Sequence, residues 1–378
     1  MGPKPGSTLE PKINRRKDLL VGDQSLRGEL DMSKLVRVDD HYEVELSDGS
    51  HAILTLDPTA QEAAEKVLRQ AKAPKGAVVV MSTDGRILAL AGRTQDEDKS
   101  ETIDASVALS VWAPAASVFK IVTASALLAA GVDPKQKVCY HGGLRSVDES
   151  NLVDNARADG ACNDLGFAIA KSQNALIAKL AHRHLDKKKL RTMAGAFGVD
   201  SSPAFALDAE AGRLELPDDP LEFARVAAGF WSSEISALSG ASLTNVIASG
   251  GMMVPPRIVA EIREKDRVVR VVGSPGDRIL SESAARSVAT MMQGTVDYGT
   301  GFKGFHDKRG RPYLGEIKIG GKTGSLSRNT PSYLGYSWFV GIAPVEQPEV
   351  VISVLLGNSP LWHLKSHTAA RLILDAMY

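Results

Sequence analysis

The chain has 378 residues, 43% of them hydrophobic, with Lys+Arg and Asp+Glu equal at 45 each. That composition supports one large core or two smaller ones, and zero formal charge leaves no basic field for nucleic acid or an anionic membrane. No apolar run reaches the roughly 18 residues of a spanning helix, and no signal-peptide core is present in the sequence as read.

The polar, Gly/Pro-rich opening Met1–Ser7 reads as a native tail or as what remains after removal of an anchor. Residues 1–51 mix charge with short β-like pieces, such as His41–Leu46 closed by the turn Ser47–Ser50. They are too short for a separate enzyme domain and read as an N-terminal extension or linker ahead of one domain over 52–378. Asp57-Pro58 caps a helix over about 58–72, whose Ala60, Ala64, Val67, Leu68 and Ala71 share one face. The apolar runs 77–81 and 86–91 flank Ser82-Thr83-Asp84-Gly85, a hairpin pattern, and the charged stretch Arg93 to Glu101 reads as a solvated loop.

Next comes Trp112-Ala113-Pro114-Ala115-Ala116-Ser117-Val118-Phe119-Lys120, running into an Ala/Leu-rich segment that stops at Gly131. A turn into a buried helix fits this pattern, with Ser117 at the helix start. Lys120 then lies one turn on and on the same face, where its amine reaches the Ser117 hydroxyl. Alone, a Ser and a Lys at this spacing read as a helix cap and a solvated lysine. Two further motifs change the weighing. Ser172-Gln173-Asn174 stands at the start of an apolar-periodic run, and Lys322-Thr323-Gly324-Ser325 stands in a strand-like segment. Helices are expected over 221–250 and 281–293, strands over 316–319, 337–342 and 350–356, and a terminal helix over 364–377. The order of strands, many helices, strands and a final helix argues an α/β (α+β) chain. Its central, mostly antiparallel sheet would be completed by both ends, flanked by helices, with an inserted helical subdomain.

The ordered triple of Ser-x-x-Lys, Ser-x-Asn and Lys-Thr-Gly resembles the transpeptidase domain of the penicillin-binding proteins, the acyltransferase family shared with serine β-lactamases. Leu54–Gln61, Met291–Gly301 and Ser337–Pro344 resemble the entry to such domains and the segments flanking the Lys-Thr-Gly strand. The chain departs from the family in having Ala115-Ala116 where Pro-Gly commonly precedes the nucleophile, and Ser325 where Thr is frequent.

The resemblance implies a penicillin-binding/β-lactamase-like fold and peptidoglycan D,D-transpeptidation through a Ser117 acyl-enzyme. It makes Lys120 the general base, helped by Lys322, with Ser172 relaying protons and Asn174 holding the substrate amide. Thr323, Gly324 and Ser325 would bind the donor carboxylate, and the backbone N–H groups of Ser117 and Ser325 would form the oxyanion hole. It also implies β-lactam binding, no metal or organic cofactor, a glycosyltransferase or cell-wall synthesis complex as partner, and an extracytoplasmic, membrane-anchored native protein. A D,D-carboxypeptidase, a β-lactamase and a non-turnover sensor of β-lactam or muropeptide are the alternatives. No Glu-x-x-Leu-Asn segment of the class A lactamase kind is present, and class D enzymes have Val where Asn174 stands. The two cysteines, Cys139 and Cys162, are either a bridge in an oxidising compartment or two buried thiols. His363 and His367 read as a surface pair, His182 and His184 as an exposed helix end, and Gly320–Thr323 lacks the spaced first glycine of a phosphate loop.

Overall fold

The computed structural model describes residues 19–95, 101–144 and 146–378. Its centre is a six-stranded antiparallel sheet. In chain order the strands are β1 (Lys75–Ser82), β2 (Ile87–Gln95), β3 (Glu101–Ile103), β4 (Gly320–Arg328), β5 (Leu334–Ala343) and β6 (Val350–Asn358). In space they run β4-β5-β6-β1-β2-β3, so both ends of the catalytic segment meet in one sheet and β4 forms an edge.

The helices that matter are α1 (Pro58–Ala71), α2 (Lys120–Ala129), α3 (Leu165–Ala170), α4 (Asn174–His184), α5 (Pro220–Ala227), α6 (Ala237–Ala248), α7 (Glu282–Asp297) and α8 (Ser366–Met377). Because strand side chains alternate, β1 divides its apolar run between two cores. Val78 and Val80 pack with α1 and α8, while Ala77, Val79 and Met81 join α2, α4 and α6 on the opposite face. Helices thus cover both faces, which is why the strands read as unbroken hydrophobic runs where alternation is the antiparallel norm.

Residues ahead of the central sheet form a second one with a hairpin from much later in the chain. Its order is Leu19–Val21, Arg267–Val272, Val259–Glu264, His51–Leu54, His41–Glu45, Val36–Val38. The buried Asp23 carboxylate locks the two segments together by accepting from the backbone N–H groups of Ile258 and Val259 at 2.6 and 3.1 Å. The boundary expected near residue 51 therefore falls at the start of a strand of this sheet.

Four expectations are corrected. The stretch from Arg93 is not a solvated loop where it is described: Arg93–Gln95 continue β2, Glu101 begins β3, and 96–100 lie outside the described residues. The Arg93 side chain is buried, its guanidinium donating to the Ala73 carbonyl. Residues 316–319 are not a strand. The strand begins at Gly320, after a turn containing Gly315 at φ +60°. The helix expected over 221–250 is two, α5 and α6, separated at Gly229 (φ +79°) and by the short strand Ser233–Ile235. His363 and His367 are not a surface pair: His363 precedes α8 and is exposed, whereas His367 lies inside α8 and is half-buried.

Cys139 and Cys162 sit opposite each other in a short hairpin, Val138–Tyr140 against Ala161–Asn163, and are disulfide-bonded. The loop they close, of sequence separation 23, carries Leu144 to the mouth of the cleft described below. Closing a loop of this size stabilises by about 3 kcal/mol in the chain-entropy account. The double variant Cys139→Ser/Cys162→Ser is therefore expected to lose about 3 kcal/mol in urea unfolding, and a loss under about 0.5 kcal/mol would contradict that account.

Candidate active site

Three segments converge beside the edge strand β4. The first is the turn that delivers Ser117. A 3-10 turn over Ala116–Phe119 leads into α2, and its geometry is unusual in that Ala116 has φ +48°. Such a conformation costs a non-glycine residue about 1–3 kcal/mol and must be held from outside. Two contacts hold it. The Trp338 indole N–H donates to the Pro114 carbonyl at 2.8 Å, and Gly229 packs so closely that a Cβ there would lie 2.4 Å from the Ala116 carbonyl oxygen.

The second segment joins α3 to α4. Ser172 takes φ +55°, which ends α3 and turns its carbonyl and its hydroxyl toward Lys120. Asn174 then opens α4. The third is β4 itself, in which Lys322 points inward while Thr323 and Ser325 line the cleft.

The Lys120 amine is completely buried. It lies 2.9 Å from Ser117 Oγ, 3.1 Å from Ser172 Oγ, 3.2 Å from the Ser172 carbonyl and 2.5 Å from Asn174 Oδ1. Two of these, the carbonyl and Asn174 Oδ1, can only accept. A neutral amine satisfies both with its two hydrogens and keeps its lone pair for the Ser117 proton. Burial pushes the Lys120 amine well below its ordinary value, and the nearby Lys322 charge pushes it further the same way.

Lys322, also fully buried, donates to Ser172 Oγ and to the Thr323 carbonyl, both at 2.9 Å. Burial lowers it to about 7. The Ser172 hydroxyl thus bridges two lysines, neither of which is obliged to carry its proton near neutral pH. That is a short path for moving a proton to and from Ser117.

Asn174 is more committed than the motif suggests, because its Nδ2 also donates to the Leu144 carbonyl at 3.2 Å. Its amide orients Lys120 and anchors the disulfide-closed loop, leaving one Nδ2 hydrogen for a substrate. The backbone of β4 runs close by: a Cβ on Gly324 would lie 3.4 Å from the Ser117 nitrogen.

Ser117 stands where two cavities meet. One, of about 390 Å³, is walled by Phe230, Leu326, Tyr333 and Trp362, and the other, of about 320 Å³, by Thr300, Thr323, Ser325, Lys365 and His367. Of these walls, sequence reasoning named only Thr323 and Ser325. Thr300 is hydrogen-bonded to Thr323 between hydroxyls at 2.5 Å, and only the segment around it, not the residue, was visible as a motif. Trp362, Lys365 and His367 come from the connection between β6 and α8 and its first turn, where no local pattern signals a cleft. Among the described residues no cluster of His, Cys, Asp and Glu is arranged to hold a metal ion.

Residues 76–378 match the family described as penicillin binding protein transpeptidase domain, and the chain belongs to that family. It is 25% identical over 346 residues to peptidoglycan D,D-transpeptidase PbpA of Mycobacterium tuberculosis, covering 82% of this chain and 68% of that protein. It is 27% identical over 333 residues to stage V sporulation protein D of Bacillus subtilis, where the match spans 82% of this chain and 50% of that protein. Among solved structures it is similar to the imipenem acyl-enzyme of penicillin-binding protein A from M. tuberculosis, with TM-score 0.72, 22% identity, and cover of 87% of this chain and 80% of that one. It is also similar to the D,D-transpeptidase domain of a peptidoglycan glycosyltransferase from Eggerthella lenta, with TM-score 0.69, 22% identity, and cover of 89% and 95%.

The buried lysines have a consequence for stability. Between about 7 and the ordinary 10.5 the unfolded chain keeps the Lys322 proton that the folded chain has released, so stability rises with pH across that window. Below about 7 the dependence from this residue ends. The slope is at most about 1.4 kcal/mol per pH unit. Lys322→Met should therefore gain less stability than the parent between pH 7.5 and 9.5 in urea unfolding, and equal slopes would place a stable charge on Lys322.

Proposed function

We propose that the chain is a serine-type peptidoglycan D,D-transpeptidase, and the observation that carries this reading is the hydrogen-bonded run Ser117, Lys120, Ser172, Lys322 at the junction of the cleft. The named PbpA relative supports it. The neutral Lys120 amine takes the Ser117 proton as Oγ attacks the carbonyl of the penultimate D-Ala of a stem peptide. The oxyanion that forms is met by the backbone N–H groups of Ser117 and Ser325, an arrangement worth roughly 10²–10³ in rate per donor.

Lys120 and Lys322 pass a proton through the Ser172 hydroxyl to the departing D-Ala amine, and the C–N bond breaks to leave the acyl ester on Ser117. Thr323 and Ser325 hold the terminal carboxylate, with Lys322 behind them. An amine from a second stem peptide then attacks the ester, loses its proton to Lys120, and Ser117 leaves as a restored hydroxyl. This substrate places the working protein outside the cytoplasm, supplied by a glycosyltransferase or cell-wall synthesis complex. β-Lactams acylate Ser117 as mimics of the donor.

Breaking the ester with water needs a base beside a held water molecule. Among the described residues lining the two cavities there is no Asp or Glu. The acyl-enzyme should accordingly be long-lived. With a chromogenic cephalosporin we expect a burst near one equivalent followed by turnover slower than about one per minute, against the roughly 1–10³ per second of typical enzymes. Steady hydrolysis at several per second without a burst would make the chain a β-lactamase.

Two variants test the roles. Ser117→Ala should abolish labelling by a fluorescent penicillin while the fold is kept, and labelling at another serine would overturn the assignment. Lys120→Ala should slow labelling by about 10²–10⁴, the usual size of a general-base effect, and a loss under about tenfold would move the base to Lys322. Product analysis on a pentapeptide with and without an amine acceptor separates transpeptidase from carboxypeptidase.

A further inference from the structure

The donor's carboxylate needs a positive charge, and the buried lysines are poorly placed to supply it. Lys322 is sealed from the cleft and spends two hydrogens on Ser172 Oγ and the Thr323 carbonyl. With its amine near 7 it carries a full charge only part of the time. Lys120 is equally buried and fully engaged.

Two further cations line the cavity that contains Thr323 and Ser325. Lys171 is committed: its ammonium donates to the Tyr298 carbonyl and lies 5.4 Å from the centroid of the Tyr298 ring. Lys365 is exposed, and among the described residues its ammonium has no hydrogen-bond or ion-pair partner.

Its backbone, by contrast, is fixed. The Lys365 carbonyl accepts from Thr368 and Ala369 N–H at 3.0 and 2.9 Å, capping the first turn of α8. The next residue, Ser366, is tied to β5 by a 2.8 Å hydroxyl contact with Ser337. The neighbouring His367 is lowered to about 4 by burial first and by the Lys365 charge second, so it is neutral at pH 7. What this end of the cleft offers an incoming ligand is therefore one ammonium with no hydrogen-bond partner among the described residues, alongside the carbonyl-bonded Lys171, over hydroxyls and with no carboxylate among the described lining residues.

We propose that Lys365 is the specificity-determining cation of the donor site, drawing in and holding the terminal carboxylate while Thr323, Ser325 and Thr300 supply neutral hydrogen bonds. This rests on the acyltransferase reading above. The division is physically economical: the lysines that move protons stay dry, and the lysine that attracts the anion stays in contact with water.

Benzylpenicillin and its neutral methyl ester form the test pair, with acylation rates measured for the parent, Lys365→Gln and Lys365→Arg. Hydrogen bonds to charged groups contribute enough that losing one slows association chemistry roughly tenfold or more. Lys365→Gln should slow acylation by the acid about tenfold and leave the ester rate within about twofold, and Lys365→Arg should restore preference for the acid. Raising salt should slow the parent's reaction with the acid and leave Lys365→Gln nearly flat, a response that a merely structural lysine would not produce. An unchanged acid-to-ester ratio in a Lys365→Gln protein that still labels would overturn the proposal and leave the transpeptidase reading standing. A fall in both rates together would assign Lys365 a structural role and overturn it as well. Absence of any adduct in the parent would remove the acyltransferase reading, and this proposal with it.

Discussion

The structure depends on two lysine side chains that share one hydroxyl in a dry place. Lys120 and Lys322 are both fully buried and both bonded to Ser172 Oγ. Burying one ammonium without a counter-ion is expensive, and burying two beside each other more so, because each charge also repels the other. The molecule resolves this by letting protons leave. Once an amine is neutral, its lone pair becomes a base, so the solvation penalty that threatens folding is the same quantity that activates Ser117. Among the described residues no carboxylate neutralises either lysine, and a carboxylate there would have held the protons on.

That arrangement constrains the backbone around it. Three segments far apart in sequence must bring a serine, a second serine with its asparagine, and a lysine within one hydrogen-bond radius. Two of them do so through non-glycine residues at positive φ, Ala116 and Ser172. Each is held by neighbours: Ala116 lies under Gly229 and beside the Trp338 anchor, and Ser172 sits in a helix end whose Gln173 N–H bonds back to the Ala168 carbonyl at 2.9 Å. The break between α5 and α6 follows from the same demand. Gly229 has to stop α5 where the Ala116 carbonyl comes within van der Waals range, and no continuous helix over 221–250 would permit that approach.

Much of this was legible in the sequence. The helix over 58–72, the hairpin at Ser82–Gly85, the last two strands and the terminal helix all follow from local periodicity and turn chemistry, and the three motifs named the residues that meet. What stayed hidden was set by distant partners. Leu19–Val21 and His51–Leu54 could not be read as one sheet because the strands that join them, Arg267–Val272 and Val259–Glu264, lie some two hundred positions on. Arg93 looked solvated because the Ala73 carbonyl that its buried guanidinium meets lies in a distant segment, which no sequence pattern records. The 316–319 segment has strand-like alternation, yet Gly315 at φ +60° sits in a turn and the strand begins only at Gly320. His367 looked exposed until α8 was seen to aim its first turn at the cleft.

The walls of the cleft were the least legible feature, and the reason is again electrostatic. Residues that perform proton transfer are restricted in type and spacing, so they form motifs. Residues that steer an anion need only present a charge at the right place, and a lysine on a connecting segment does this with no constraint on its sequence neighbours. Lys365 gains its position from the capped first turn of α8 and from the Ser337–Ser366 contact, both tertiary facts. The separation also keeps the charge that meets the ligand apart from the lysines that move protons. Water screens Lys365 from the buried pair, whereas the same charge moved inside would hold Lys120 deprotonated but would also bury a third cation without a partner.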